Sequence, residues 1–326
     1  MFPKKLQQGD LVRVIAPTSS LAIISQENRD IARKRFEEMG LRLSFGKHVE
    51  EIDENNSSSI TSRVDDIHDA FLDKEVSAII AVIGGFNSNQ LLNSIDWEKI
   101  EKNPKIFCGY SDITALGNAF FSKTGLVTYS GPGYASFGEK YGFEYTLSFF
   151  KKCLFSEESF FVEPSKQWSD DPWYRDQESR NWISNDGYLA IQEGKAEGVL
   201  LGANLCTFNL LQGTEYMPHL EGTILFLEDD RESKLVNFDR DLQSLMHQPG
   251  FKDIRGIVLG RFQRASMVTN DAIVRMIQTK KELENIPIIA NVDFGHTQPM
   301  ITFPLGGRAR MKVSLHSKCE VEILQH

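Results

Sequence analysis

KIFCGYSDITALG, residues 105–117, runs from an apolar stretch of strand type into a segment of helical period, with Ser111 at the join, Gly109 two residues before it and Asp112 directly after. A short buried strand that turns sharply into a helix is the first half of a βα unit. The same alternation surrounds it: LVRVIAP (11–17), RLSFG (42–46) and SAIIAVIG (77–84) read as strands. SQENRDIARKRFEEMG (25–40) and SSITSRVDDIHDAFLDKE (58–75) read as the helices between them, the second opening on capping serines. Alternation of this kind predicts an α/β domain over residues 1–165 built on an open, doubly wound parallel sheet.

Residues 166–187 break the rhythm with a polar, aromatic run that is expected to link two domains. After it, residues 188–326 read as a second α+β domain with more sheet than helix: GYLAIQEGKAEGVLLGANLCTF, GTILFLEDD, IRGIVLGRF, IPIIANVDF and RMKVSLHSKCEVEIL carry strand patterns separated by glycine turns. Two domains suit a chain of 326 residues. A hydrophobic fraction of 41% excludes a disordered chain, and a net charge of −9 without a Lys/Arg-rich run argues against nucleic acid as partner. Neither a signal-peptide pattern nor an apolar run of membrane-spanning length is found, so a cytoplasmic protein without membrane partner is expected. The four scattered cysteines form no C-x-x-C pair or metal-like grouping with histidine, and reduced, mostly buried thiols are expected.

In doubly wound sheets ligands gather where loops leave the carboxyl ends of strands. Three such ends carry chemistry here: APTSS (16–20), GGFNSNQ (84–90) and GYSD (109–112). A serine in a sharp strand-to-helix turn lifts its hydroxyl clear of the backbone, although the same serine could simply cap the helix. A serine nucleophile needs a base, and the base needs an orienting acid. Of the seven histidines, only His296 directly follows an apolar strand and a glycine, in IPIIANVDFGHTQP. For the acid, the strand in GTILFLEDDRES runs into Glu228, Asp229 and Asp230, and alternation favours Glu228 as the last strand residue. Cys108, three residues before Ser111 and inside the strand, is a competing nucleophile whose position reads better as core.

GDLVRVIAPTSS, GGFNSNQLLNSIDWEKIEKNPKIFCGYSDITAL, GANLCTFNLLQGTEYMPHLEGTILFLED, DRDLQSL, IRGIVLGRF and FGHTQPMITFPLG together resemble, in order and over nearly the whole chain, the serine peptidase family of LD-carboxypeptidases and microcin C self-immunity proteins. The resemblance implies a flavodoxin-like N-terminal domain joined to a smaller, sheet-rich swivelling C-terminal domain. It implies a Ser-Glu-His triad at Ser111, Glu228 and His296 with no metal and no cofactor, an oxyanion hole from the backbone of Gly85 and Asp112, and a homodimer. Where muropeptide-trimming members tend to read glycine this chain has Asn87, and where they tend to carry arginine it has Ile83. Both, with the aromatic linker, lean toward the immunity branch. Ala203 stands where a second glycine is common.

That branch implies a small peptidyl or aminoacyl-nucleotide substrate, with Trp182, or as second choice Trp173, stacking on the base unless these tryptophans serve to anchor the linker onto the domain surface, and with Asn87 and Asn204 near the substrate. Removal of a terminal D-alanine from muropeptides is the alternative within the same chemistry. A nucleotide-binding protein without catalysis is the alternative of another class.

Overall fold

The computed structural model describes residues 1–326. In chain order the first part comprises β1 (Leu11–Ile15), α1 (Gln26–Glu38), β2 (Arg42–Phe45), α2 (Ile60–Leu72), β3 (Val76–Ala81), α3 (Trp97–Lys102), β4 (Ile106–Gly109), α4 (Ile113–Thr124), β5 (Thr128–Ser130) and α5 (Glu144–Phe155). Ser25 and Ser59 cap α1 and α2 by accepting from the amides of Asn28 and Ser62, as the sequence suggests. β1 to β5 are parallel and ordered 2-1-3-4-5. That is the flavodoxin-like order, which reverses direction between β1 and β3 and opens a crevice at their carboxyl ends.

The second part follows as β6 (Phe160–Phe161), β7 (Gln167–Trp168), β8 (Ile183–Ser184), β9 (Leu189–Gln192), β10 (Gly194–Asn204), α6 (Leu205–Asn209), β11 (Thr223–Glu228), α7 (Leu235–Met246), β12 (Gly256–Gly260), α8 (Asn270–Gln278), β13 (Ile288–Val292), β14 (Phe303–Leu305), β15 (Arg308–Val313) and β16 (Glu320–Gln325). Its sheet runs β6-β16-β15-β10-β11-β12-β13-β9, with β10 to β13 parallel and the flanking strands antiparallel.

Two short strands cross the boundaries drawn from sequence. β14 leaves the second part to pair antiparallel with β5, Phe303 opposite Ser130, while β6, before residue 165, joins β16 of the second sheet. The stretch 166–187 is ordered around the small β7-β8 ribbon.

Strand alternation sends side chains to opposite faces, and each face builds a core that passes from one sheet to the other. Ala78, Ile80 and Cys108 share one cluster with Ile224, Phe226 and Val258. Ile79, Ala81 and Phe107 share the other with Leu225, Leu227 and Leu259. The two sheets are thus packed as one body, with strand ends of both meeting at a single cleft. No helix is long and apolar enough to cross a membrane.

Candidate active site

Ser111 follows β4 with φ of 62°, a left-handed conformation that is uncommon for a residue with a Cβ. The turn is possible because its neighbours give way. At Gly109 a Cβ would come within 2.9 Å of the Ile113 side chain, and at Gly84 within 2.7 Å of the Ser111 Cβ. Strain of this sort, on the order of 1–3 kcal/mol, persists where the surroundings over-determine it.

Glu228 ends β11 as alternation predicts, buried at 2% exposure. Two glycines make room for it: a Cβ at Gly295 would fall 2.3 Å from Oε2, and one at Gly260 would fall 2.7 Å from the Glu228 Cβ. His296 sits in the loop after β13. Its Nδ1 lies 2.8 Å from Glu228 Oε2 and its Nε2 lies 3.0 Å from Ser111 Oγ. A carboxylate only accepts, so Nδ1 carries the proton and donates to Glu228, which leaves Nε2 of the neutral ring to accept from the serine hydroxyl.

Burial pushes the His296 pKa down, but the Glu228 carboxylate, by charge and by hydrogen bond, outweighs it and holds the pKa above the ordinary value. Asp229, beside Glu228, is the opposite case. Burial and then its neighbour's charge push its carboxyl up to about 6, and its Oδ2 has no hydrogen-bond partner.

Cys108 is fully enclosed in β4, and burial pushes its thiol far above the ordinary range. That removes the thiolate a cysteine nucleophile would need.

The backbone N–H groups of Gly85 and Asp112 donate to no group in the chain; Asp112 directly follows Ser111, and Gly85 directly follows Gly84, which packs against the Ser111 side chain. The Asp112 carboxylate points the other way, accepting from the amides of Asn87 and Ser88 at 2.9 Å each. This pins the 84–90 loop against the start of α4.

Ser111 and His296 open onto a cleft of about 920 Å³. Its lining includes four stretches of chain besides Ser111 and His296: Ile83 to Phe86 with Tyr110, Asp170 to Tyr174, Asp230 to Glu232, and Gln263 to Ala265. The polar stretch 166–187 is therefore part of the site. Ser169 and Gln298 exchange backbone hydrogen bonds of 2.8 Å. Arg264 grips Asp170 at 2.7 Å and Asp171 at 2.9 Å, and Arg180 pairs with Glu139 where both side chains are 2% exposed.

Three residues expected near the substrate are not among those lining the cleft. Trp182 packs under the Arg180 guanidinium at 4.2 Å and rests on Gly142, where a Cβ would come within 2.2 Å of the ring. It is not among the residues that line the cleft; Trp173 and Tyr174 line it instead. Asn87 turns its side-chain oxygen inward to Arg63 at 2.9 Å and Thr18 at 3.1 Å. Asn204 is 2% exposed and donates to Glu228 and Asp229, 3.3 Å from each. Tyr110, which no sequence pattern marks, has its ring centre 5.6 Å from that of His296, and burial raises its hydroxyl to about 12.

Residues 12–131 match the family model described as LD-carboxypeptidase N-terminal domain, and residues 197–311 the one described as LD-carboxypeptidase C-terminal domain. The chain is 53% identical to the Bacillus subtilis protein named "Putative carboxypeptidase YocD", over 96% of both chains. Among solved structures it superposes on an MccF-like protein from Bacillus anthracis with a TM-score of 0.99 and 53% identity, covering 100% of both chains. It also superposes on the microcin C7 self-immunity protein MccF in complex with aspartyl sulfamoyl adenosine, with a TM-score of 0.89 and 27% identity over 100% of this chain and 99% of that one.

Proposed function

The chain belongs to the LD-carboxypeptidase family, the S66 serine peptidases, and on that premise we propose that it hydrolyses an amide-type bond in a peptidyl or aminoacyl nucleotide through an acyl-enzyme on Ser111. The observation that carries this reading is the unbroken run of hydrogen bonds from Glu228 through His296 to Ser111 at the floor of an open cleft.

His296 Nε2 takes the hydroxyl proton as Oγ attacks the carbonyl carbon. Charge then appears on the carbonyl oxygen, and the unengaged amides of Gly85 and Asp112 are the donors for it. Donors fixed in advance require no reorganisation at that moment. The imidazolium, stabilised by Glu228, hands its proton to the leaving nitrogen, and the carbon–nitrogen bond breaks. A water molecule, deprotonated by the same imidazole, releases the acid and restores the serine.

The nucleotide reading is supported by the likeness to a protein whose structure holds aspartyl sulfamoyl adenosine, and by the aromatic wall of Trp173 and Tyr174. Stacking on an aromatic side chain contributes about 1–3 kcal/mol per base. Removal of D-alanine from muropeptides is the second reading, favoured by the family description. Turnover of an aminoacyl sulfamoyl adenosine and of a muropeptide tetrapeptide, measured side by side with wild type and Ser111→Ala, tests both. Turnover of neither, or undiminished turnover by the variant, defeats the proposal.

A further inference from the structure

We propose that Thr114 and Asn204 are positioning residues that set the spacing between the Ser111 hydroxyl and the Glu228 carboxylate, by closing the site's hydrogen bonds into a ring that crosses from one sheet to the other. The inference rests on the serine-peptidase reading above and extends it to two residues outside the cleft.

The ring can be followed bond by bond. The Thr114 amide, in the first turn of α4, donates to the Ser111 carbonyl at 3.0 Å. Thr114 Oγ1 accepts from the Asn204 backbone N–H at 3.2 Å. Asn204 Nδ2 donates to Glu228 Oε1 at 3.3 Å. The other Glu228 oxygen meets His296 at 2.8 Å, and His296 returns to Ser111 at 3.0 Å.

Asn204 and Glu228 are register partners of β10 and β11, so a displacement of β10 moves the acid with it. Thr114 and Asn204 are each 2% exposed, and water does not compete for these bonds. Asn204 has two amide hydrogens to give, and their acceptors, Glu228 and Asp229, are different acids. Glu228 is thereby held by one oxygen while the other faces the imidazole.

The strand bends to reach α4. Gly202 and Ala203 have φ of 107° and 102°, and Ala203 does so with a Cβ. One turn further along α4, the wholly buried Asn118 amide braces the bend, donating to the Gly202 carbonyl at 2.8 Å and accepting from its N–H at 3.3 Å. A backbone conformation that side chains avoid, secured by a buried amide beside the proposed acid, marks a position kept for its geometry.

The test is Thr114→Val, which keeps the shape and removes the acceptor, with Thr114→Ser as the companion that restores it. Each variant is assayed for melting temperature, for kcat and KM on aspartyl sulfamoyl adenosine, and for the pH dependence of fluorophosphonate labelling of Ser111. Thr114→Val is expected to lower kcat and labelling by about 10- to 100-fold, the scale of an ångström-sized misplacement. KM should change little, and the labelling midpoint should move to lower pH as Glu228 leaves the imidazole. Thr114→Ser should recover most of the loss. A folded Thr114→Val protein with the wild-type rate and midpoint overturns the inference. Should that variant not fold, Asn204→Ser keeps the backbone donor and the cap of α6 while withdrawing the amide from Glu228, and an unmoved midpoint there overturns it equally. If wild type itself is not labelled, the serine-peptidase reading falls and takes this one with it.

Discussion

Gly84 and Ser111 cannot both carry an ordinary side chain: a Cβ at residue 84 would stand 2.7 Å from the Ser111 Cβ and 2.9 Å from its Oγ. The glycine loop is therefore fitted to the hydroxyl in its left-handed turn. Gly84→Ala must push Ser111 aside or distort the loop that carries the Gly85 amide. The expected result is a folded protein whose kcat falls by about 10- to 100-fold. Comparison of kcat with melting temperature checks it, and wild-type kcat would contradict it.

Strain at Ser111 gives a second expectation. Glycine tolerates φ of 62° without the Cβ penalty, so Ser111→Gly should abolish turnover while raising stability by about 1 kcal/mol, against Ser111→Ala, which keeps the penalty. Thermal melts of the two inactive variants make the comparison at equal chemistry. A lower melting temperature for the glycine variant would show that the turn is not strained.

Much of this site was readable from strand ends. Ser111 and His296 follow recognisable apolar strands and Glu228 ends one, and alternation alone separates Glu228 from Asp229 and Asp230. What escaped were orientations within irregular or doubly buried segments. Nothing periodic tells that Trp173 faces the cleft while Trp182 turns onto Gly142, because residues 169–182 follow no repeating geometry. Asn204 was placed near the substrate by resemblance, whereas its position opposite Glu228 is a matter of strand register, fixed by pairing far along the chain. The three residues of β14 carry too little pattern to reveal that they return to the first sheet.

The pH dependence follows from the charge beside His296. Its pKa is held above the ordinary value of about 6.5, so the free base that attack requires accumulates only at higher pH. The acid limb of kcat/KM should therefore have its midpoint above that of an unperturbed histidine. Glu228→Gln removes the charge and should shift the limb to lower pH while reducing kcat. A midpoint that stays put in Glu228→Gln would separate the acid from the base.

Asp229 offers a test of stability rather than rate. Its folded pKa is raised to about 6 from an ordinary value near 3.8, so between those two pH values the folded chain binds more protons than the unfolded one. Stability is lost as pH rises through this window, and the cost is present in full above it. Asp229→Asn removes that cost and should stabilise the protein at pH 7.5, on the order of 1–3 kcal/mol, with little effect at pH 4. Denaturant unfolding at the two pH values decides, and equal effects at both would mean the carboxyl is not buried as a charge.

The two tryptophans separate binding from seating. Trp173 lines the cleft, whereas Trp182 lies between Arg180 and Gly142 and away from it. For a nucleotide substrate, Trp173→Ala should raise KM by about 5- to 150-fold, the equivalent of one lost base stack. Trp182→Ala should lower the melting temperature through lost packing and cation–π contact while leaving KM within a few-fold of wild type. The opposite assignment, with KM responding to Trp182 and not to Trp173, would place the base on the far side of the strap and require a different path for the substrate across Ser111.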